Sequence, residues 1–325
     1  MKQLTPEQFV QKLKNVIGQA DTQFAFFLGA GCSASSGIPT AHALVKYYWF
    51  PRLRRLYGDD WIRKNMPHYD PQNPAAYFTD VVVNLFDTSA ARQREIESLC
   101  DGRFPGFGYA ALANLMSSHK GRFNVVLTTN FDDLAPDALY IYTQSRGLVI
   151  PHEGLAGFID PARTDPMIVK LHGDLRLVPF STPQQIQRLA HSVVENIRQV
   201  LQNRGLIFIG YGGNDPSIVN LLEELAPGQY LKHGVYWVSG QEPRGGIRYW
   251  LDKHEATWVE NQDFDELMLL LSEEFSLPLP SHRGFDRFFE RYRSRGHRAG
   301  FVPACRQSKS ERNQERFVGI PGTDL

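Results

Sequence analysis

Short, mostly apolar runs recur along the chain, and longer segments with a helical spacing of apolar positions separate them. A run that is apolar throughout is typical of a strand buried on both faces of a parallel sheet. These runs lie at residues 24–28, 123–127, 167–171, 206–209, 234–238 and 256–259. The pattern therefore predicts an α/β fold, with a Rossmann-like parallel sheet and helices on both of its faces.

The segments between the runs carry helix signals. Thr5, Pro6 and Gln8 form a capping box with proline at the first helical position. Asp215 precedes Pro216 and can cap the helix that follows. Helices are predicted at residues 5–19, 109–118, 183–204, 216–226 and 263–275.

No strand pattern occurs between residues 41 and 108, where proline-containing turns separate short helical stretches. We predict that residues 41–108 are a helical insertion in an α/β domain that spans residues 1–275. The insertion either covers a site, as a lid does, or only adds a helical layer to the sheet.

Residues 276–325 differ in character, since arginines crowd this stretch and large apolar residues become rare. A linker is expected at 277–281 and one helix at 284–294, followed by a flexible tail. This basic C-terminal extension is either an arm or linker for a partner, or a solvated tail without a function.

Composition narrows the class of protein. Hydrophobic residues make up 42% of the chain and charged residues 22%, as in ordinary globular proteins. Lys+Arg and Asp+Glu are both 35, so no overall charge attracts nucleic acid or a membrane surface. The three cysteines form neither a CxxC pair nor a disulfide framework, and neither a signal peptide nor a membrane-spanning run is found. We expect a cytoplasmic protein.

Four of the predicted strands end in small or polar residues. The clusters are residues 29–33, 128–133, 171–174 and 210–215. Ligands of open parallel sheets bind outside the carboxyl ends of the strands. We therefore expect the four clusters to converge on one crevice.

The first cluster contains Gly29 and Gly31 directly after an apolar strand. Glycine lets a backbone approach a diphosphate closely, and a helix that begins there offers unpaired N–H groups. A tight turn needed only for packing has the same sequence. No carboxylate occurs in residues 49–55, where a dehydrogenase would bind ribose, and no P-loop occurs in the chain. Hydride transfer and P-loop phosphoryl transfer are thus disfavoured.

Asn130 and His172 are the side chains best placed for reactivity. An amide can hold a water or a hydroxyl by donating and accepting at once. An imidazole can take a proton from water or from a ribose hydroxyl, although a histidine after a strand can also be structural. Asp132 and Asp133 are candidates for the site and, alternatively, for capping the next helix.

The motifs GAGCSASSGIPT, TTNFD, KLHGD and GYGGND, in this order within residues 20–240, resemble those of the sirtuin superfamily. They are most similar to the bacterial sirtuin-like NADase effectors of antiphage defence. The resemblance implies that NAD is the substrate and that Asn130, His172 and Asp132 are catalytic, with Asn130 and Asp132 on the nicotinamide–ribose side. The cofactor-binding residues that it implies are Gly29, Ala30, Gly31, Ser33, Pro39, Thr40, Thr129, Gly210, Tyr211 and Asp215, of which Gly210, Tyr211 and Asp215 would flank the adenosine ribose.

Two departures from the deacylating sirtuins bear on the activity. Those enzymes generally carry a four-cysteine zinc module, and three scattered cysteines cannot build one, so no zinc or other metal site is expected. They also tend to continue Gly-Ile-Pro with Phe-Arg, whereas this chain continues with Thr40-Ala41-His42. The prediction is an NAD⁺ glycohydrolase that releases nicotinamide and ADP-ribose. The alternatives are a protein deacylase or ADP-ribosyltransferase, and a non-catalytic module that senses NAD or ADP-ribose.

An enzyme that depletes NAD⁺ would harm its own cell unless it were held inactive. The resemblance therefore implies an abortive-infection effector, activated as a homo-oligomer or by a sensor domain or partner protein that the C-terminal tail contacts. Nucleic acid would act only through such a partner, and no membrane is involved.

Overall fold

The computed structural model describes residues 1–19, 21–151, 153–172, 191–225, 229–261 and 263–280, together with residues 285, 288 and 289. The chain divides into two compact units, Met1–Pro280 and Ser281–Leu325. Most of the helix predicted at 284–294 lies outside the described residues, as do residues 183–190 of the helix predicted at 183–204. The first unit contains all of the strands and helices given below.

The first unit is built on one 8-stranded sheet in which every strand pair is parallel. In chain order the strands are β1 (Lys2–Leu4), β2 (Gln23–Leu28), β3 (Val125–Thr128), β4 (Leu148–Ile150), β5 (Met167–Lys170), β6 (Arg204–Ile209), β7 (Val235–Ser239) and β8 (Thr257–Glu260). Their order across the sheet is β1-β8-β7-β6-β2-β3-β5-β4. The predicted α/β, Rossmann-like fold is confirmed.

Helices connect the strands. The α-helices are α1 (Pro6–Ile17), α2 (Ala41–Ala43), α3 (Phe50–Asn65), α4 (Phe78–Leu85), α5 (Ser89–Cys100), α6 (Phe107–Ser118), α7 (Leu134–Thr143), α8 (His191–Leu201), α9 (Pro216–Glu223), α10 (Gly246–Lys253) and α11 (Phe264–Glu274). A π-helical segment, Leu44–Trp49, joins α2 to α3, and 3₁₀ helices lie at Ala30–Ser36, Pro74–Tyr77 and Glu153–Phe158. No helix in the described part of the chain has the length and apolar character needed to cross a bilayer.

The predicted caps explain where several helices begin. The Thr5 hydroxyl accepts from the Gln8 N–H and the Gln8 side chain accepts from the Thr5 N–H, which is the capping box predicted for α1. The Asp215 carboxylate accepts from the first N–H groups of α9, as predicted. Asp263 does the same for α11, although this cap was not predicted from the sequence.

Aromatic side chains fill the centre of the sheet on one face. Phe27 of β2 and Phe208 of β6 are register partners with ring centroids 4.9 Å apart. Trp237 of β7 extends this row at 5.0 Å from Phe208. Because the central strands are buried on both faces, their polar residues lie at the strand ends.

The structure adds two short strands that the apolar pattern did not predict. β1 and β4 lie at the two edges of the sheet and have three residues each. Edge strands are half exposed, and Lys2 and Gln3 accordingly lack the apolar run used to find a strand.

The helical insertion contains α2, α3, α4 and α5, and no strand lies between Leu28 and Val125 in this described part of the chain. It has a hydrophobic cluster of its own. The buried members of the cluster are Leu44, Val45, Trp49, Leu53, Met66, Val81, Val82 and Phe86. The insertion is therefore a packed layer, and one side of it faces the carboxyl edge of the sheet.

Candidate active site

A cavity of about 560 Å³ lies at the carboxyl edge of the sheet. Residues from all four polar clusters line it, so the predicted convergence is observed. The opposite wall comes from the helical insertion and includes Trp49, Phe78, Asp80 and Leu99. The insertion thus forms one wall of this cavity, and its role as a lid stays a prediction.

All but one of the catalytic and cofactor-binding residues implied by the resemblance line this cavity. They are Ala30, Gly31, Ser33, Pro39, Thr40, Thr129, Asn130, Asp132, His172, Gly210, Tyr211 and Asp215. Gly29 is the exception. It lies behind Asn130, and its carbonyl oxygen accepts a hydrogen bond from the Asn130 side chain. Gly173 and Asp174 of the KLHGD motif lie outside the described residues.

The glycines after β2 are required by the turn after β6. A Cβ atom on Gly29 would lie 2.5 Å from the Gly210 carbonyl oxygen and from the Tyr211 Cα. The Gly31 N–H donates to the Gly210 carbonyl at 2.9 Å, and Gly210 has a φ of +65°. Close packing of two turns therefore accounts for these glycines without a ligand.

The expected cradle of unpaired N–H groups is only partly present. The segment after Gly29 is a 3₁₀ helix, and its Cys32 N–H donates to the Gly29 carbonyl at 3.0 Å, while the Gly31 N–H is taken by Gly210. The prediction of an open helix N-terminus for a diphosphate was wrong for these two groups, because the neighbouring turn occupies them.

Asn130 presents a hydrogen-bond acceptor to the cavity. Its Nδ2 donates to the Gly29 carbonyl and to the Ser33 Oγ, both at 3.1 Å. A backbone carbonyl can only accept, so the amide NH₂ must face Gly29 and the orientation of the side chain is fixed. Within the described residues no group donates to Oδ1. The prediction that this amide donates and accepts at once is therefore corrected, since only its acceptor is available.

Asp132 is held between a hydroxyl and a helix. Its Oδ2 accepts from the Ser33 Oγ at 2.7 Å, and its Oδ1 accepts from the Leu134 N–H, the first of α7, at 3.1 Å. Burial raises the pKa of Asp132, while these two hydrogen bonds and the charge of Lys170 oppose the shift. Asp132 therefore caps α7 and holds Ser33, besides lining the cavity.

Asp133 makes an ion pair and does not cap α7. Its Oδ1 lies 2.6 Å from the Nζ of Lys170, which also donates to the Phe131 carbonyl at 3.1 Å. The capping alternative was thus wrong for Asp133, because a buried lysine on the neighbouring strand attracts its carboxylate more strongly. Lys170 ties the turn after Asn130 to β5, the strand that leads to His172.

His172 is oriented by Asp215. Its Nε2 lies 2.8 Å from the Asp215 Oδ2, and the Asp215 Oδ1 accepts from the N–H and the hydroxyl of Ser217 at 3.0 and 2.8 Å. Burial alone would raise the pKa of Asp215, but the hydrogen bonds and charge of His172, together with Ser217, hold it below its ordinary value. Because a carboxylate only accepts, Nε2 carries the proton and Nδ1 of the neutral ring is left as the basic nitrogen.

A second cavity of about 230 Å³ adjoins the first at the ends of β6, β7 and β8. Gly31, Gly210 and Tyr211 line both cavities, and Ser239 and Asn261 add polar groups to the smaller one. These two residues follow predicted strands, but neither belongs to a cluster that the sequence singled out.

The described cysteines do not supply a reactive thiolate. Cys100 lines the larger cavity, and burial raises its pKa to about 12. Burial also raises the pKa of Cys32, whose thiol donates to the Ile209 carbonyl. Within the described residues no group of three His, Cys, Asp or Glu side chains is arranged to hold a metal ion. Cys305 lies outside them.

Comparison with known proteins gives a family match for part of the chain. Residues 124–266 match the model of the SIR2-like domain. A comparison with curated proteins gives no match. Among solved structures, a Sir2 homologue in complex with NAD is 14% identical and has a TM-score of 0.42, with 82% of this chain and 94% of that chain covered. A mutant Sir2 homologue in complex with ADP-ribose is 16% identical with a TM-score of 0.42, and 83% of this chain and 98% of that chain are covered.

The family match covers less than half of the chain, but it includes the amide and the imidazole of the site. Asn130, Asp132, His172 and Asp215 all lie within it, whereas the first glycine turn and the helical insertion lie before it. The part of the chain that carries the amide and the imidazole of the cavity is therefore similar to SIR2-like domains.

Proposed function

We propose that the larger cavity binds NAD⁺ and that the protein is an NAD⁺ glycohydrolase, which releases nicotinamide and ADP-ribose with water as the acceptor. The observation that carries this proposal is that an oriented amide acceptor, Asn130 Oδ1, and an oriented imidazole, His172, line one cavity. The similarity of residues 124–266 to SIR2-like domains supports the choice of substrate.

The two adjoining cavities suit a ligand with two nucleoside halves. In this proposal the nicotinamide ribose lies against Asn130 and Asp132, the diphosphate crosses the shared rim at Gly31, and the adenosine occupies the smaller cavity. The rim is lined by backbone from two glycine turns, which leaves little side-chain bulk where the diphosphate would pass.

The proposed reaction begins with cleavage of the bond between nicotinamide and C1′ of the ribose. Neutral nicotinamide leaves with the bonding electron pair, and the positive charge passes to the ribose as an oxocarbenium-like centre. A water donates a hydrogen bond to Asn130 Oδ1 with the hydrogen that it keeps and transfers its other proton to His172 Nδ1, while its oxygen bonds to C1′ as the new hydroxyl. Asp215 stabilises the imidazolium that forms, and the proton is later released to solvent.

The proposal also covers the role of this hydrolysis in the cell. Hydrolysis of this kind would deplete cellular NAD⁺, so we propose a cytoplasmic effector of abortive infection that is inactive until it self-associates or meets a partner. The sirtuin-like effectors that the sequence resembles motivate this step.

The test is to incubate the purified protein with NAD⁺ at several protein concentrations and to follow nicotinamide and ADP-ribose by chromatography. His172→Ala and Asn130→Ala should each lower nicotinamide release by about 10²–10⁴-fold, the usual contribution of a general base and of its positioned water. His233→Ala, which changes a histidine that does not line the cavity, is the matched control.

Wild-type turnover in both site variants would contradict the proposal. Binding of NAD⁺ without turnover at any concentration would indicate a sensing module, and release that requires an acceptor peptide would indicate a transferase or deacylase.

A further inference from the structure

Tyr109 contacts the catalytic amide from behind the cavity. It belongs to α6, is 2% exposed, and does not line the cavity. Its hydroxyl lies 2.8 Å from the Ser33 Oγ and 3.4 Å from the Asn130 Nδ2. The phenol thus meets two residues of the proposed site without reaching the place where a substrate would bind.

The hydrogens of this network can be assigned from donors and acceptors alone. With Asp132 ionised, its two oxygens accept from the Leu134 N–H and from the Ser33 hydroxyl, which uses the one hydrogen that Ser33 has. Tyr109 must then be the donor to the Ser33 Oγ. If Ser33 instead donated to Tyr109, the Tyr109 hydroxyl hydrogen would be buried without an acceptor in the described residues, which is unfavourable.

This chain of hydrogen bonds sets the position of the Asn130 amide. Tyr109 donates to the Ser33 Oγ, and the Ser33 hydroxyl donates to Asp132. The remaining lone pair of the Ser33 Oγ accepts from Asn130 Nδ2. With Nδ2 held between Ser33 and the Gly29 carbonyl, Oδ1 is left for the cavity.

The backbone around Tyr109 is attached to the same turn. Asp265 Oδ1 accepts from the Gly108 N–H at 2.8 Å and from the Ser35 hydroxyl at 3.0 Å. It therefore joins the first turn of α6 to the segment that carries Ser33. The ring of Phe264 packs edge-on against Tyr109, with centroids 5.3 Å apart, and limits movement of the phenol.

We propose that Tyr109 is a positioning residue, which acts through Ser33 to keep the acceptor oxygen of Asn130 directed at the water of the reaction. This inference rests on the proposed glycohydrolase function. It assigns to the phenol a role in the rate of the chemical step rather than in substrate binding.

The test compares Tyr109→Phe with Tyr142→Phe. Each substitution removes one phenol hydroxyl, and the Tyr142 hydroxyl donates to the Pro105 carbonyl, away from Asn130. We expect Tyr109→Phe to lower kcat for nicotinamide release about tenfold, the effect of one lost hydrogen bond, with KM within about twofold of wild type. Tyr142→Phe should leave kcat unchanged. Equal losses of kcat and of melting temperature in the two variants would show a general structural effect and overturn the proposal.

A second measurement does not depend on turnover. The side-chain amide signals of Asn130 can be followed by NMR in protein labelled with ¹⁵N-asparagine and identified by their loss in Asn130→Asp. Tyr109→Phe should shift these signals and Tyr142→Phe should not. If wild-type protein released no nicotinamide, the proposed function would fail while the NMR comparison still tested the contact. Unshifted Asn130 signals in Tyr109→Phe would overturn the positioning role whatever the turnover.

Discussion

The two sides of the cavity use an aspartate in opposite ways. On the Asn130 side, where Ser33, Asn130 and Asp132 line the cavity and Tyr109 lies behind them, the carboxylate binds a neutral hydroxyl and burial raises its pKa. On the His172 side, formed by His172, Asp215 and Ser217, the carboxylate binds an imidazole and its pKa is lowered. Both carboxylates also accept from the first turn of a helix. Burial raises the pKa of both carboxylates, and only the one whose partner is an imidazole has a pKa below its ordinary value.

This difference separates two tasks. A chain of hydrogen bonds whose donors are all uncharged can hold an amide in one orientation without taking part in proton transfer. A carboxylate next to an imidazole also decides which ring nitrogen carries the proton. In the proposed reaction the Asn130 side therefore supplies geometry, whereas the His172 side supplies geometry and basicity.

Replacing each aspartate by asparagine should show this contrast most strongly. In Asp215→Asn the amide oxygen is needed by the Ser217 N–H, so the NH₂ faces His172 Nε2 and drives the ring proton onto Nδ1. Nicotinamide release should fall by about 10²–10⁴-fold, because the general base is lost. In Asp132→Asn the hydrogen-bond chain is only rearranged, so a loss of about tenfold is expected. Equal losses in the two variants would show that the sides do not differ in the way inferred here.

Lys170 joins the two sides, and removal of its ammonium group should mainly lower the stability of the protein. Its side chain is fully buried against Asp133, which is 24% exposed. Lys170→Met should lower the free energy of unfolding by about 3 kcal/mol, because a carboxylate is left without its buried partner. Urea unfolding measures this change.

The matched control for Lys170 is Lys120→Met, which breaks a pair with Asp165 at 3.0 Å. There the side chains are 57% and 55% exposed, and a change within about 1 kcal/mol is expected. A loss as small in Lys170→Met as in Lys120→Met would mean that the buried pair does not hold the turn to β5.

Much of the fold could be predicted because each central strand is apolar along its length and ends in a polar cluster. Convergence of Asn130 and His172 at one edge followed from the parallel sheet. The short edge strands could not be found, since three half-exposed residues carry no periodic signal. The partners of each aspartate could not be predicted either. Whether Asp133 caps a helix or pairs with Lys170 depends on which strands are neighbours in the sheet.

Tyr109 illustrates the same limit within the site. Its helix was predicted, but an aromatic residue inside an apolar helix is normally a core residue, and the sequence offers no sign that its hydroxyl meets Ser33. The glycines after β2 show the reverse case. Their pattern suggested a ligand cradle, while the turn after β6, about 180 residues away in sequence, accounts for them by packing.

The smallest expected effect is in the dependence of stability on pH, where the two aspartates should act with opposite signs. The folded pKa of Asp215 lies below 3.8, so its contribution to the free energy of unfolding is complete above pH 3.8 and is lost as the pH falls through the folded pKa. The folded pKa of Asp132 lies above 3.8, so its ionisation costs stability as the pH rises from 3.8 through that pKa.

Urea unfolding between pH 3.5 and 7 distinguishes these signs, because one unit of pKa shift corresponds to about 1.4 kcal/mol. The free energy of wild type minus that of Asp132→Asn should fall as the pH rises above 3.8 and then level off. The difference between wild type and Asp215→Asn should stay flat just above pH 3.8 and decrease at the acidic end. If the two difference curves sloped in the same direction, burial would not raise the pKa of Asp132 and the imidazole would not lower that of Asp215, and the division of tasks between the two sides would lose its physical basis.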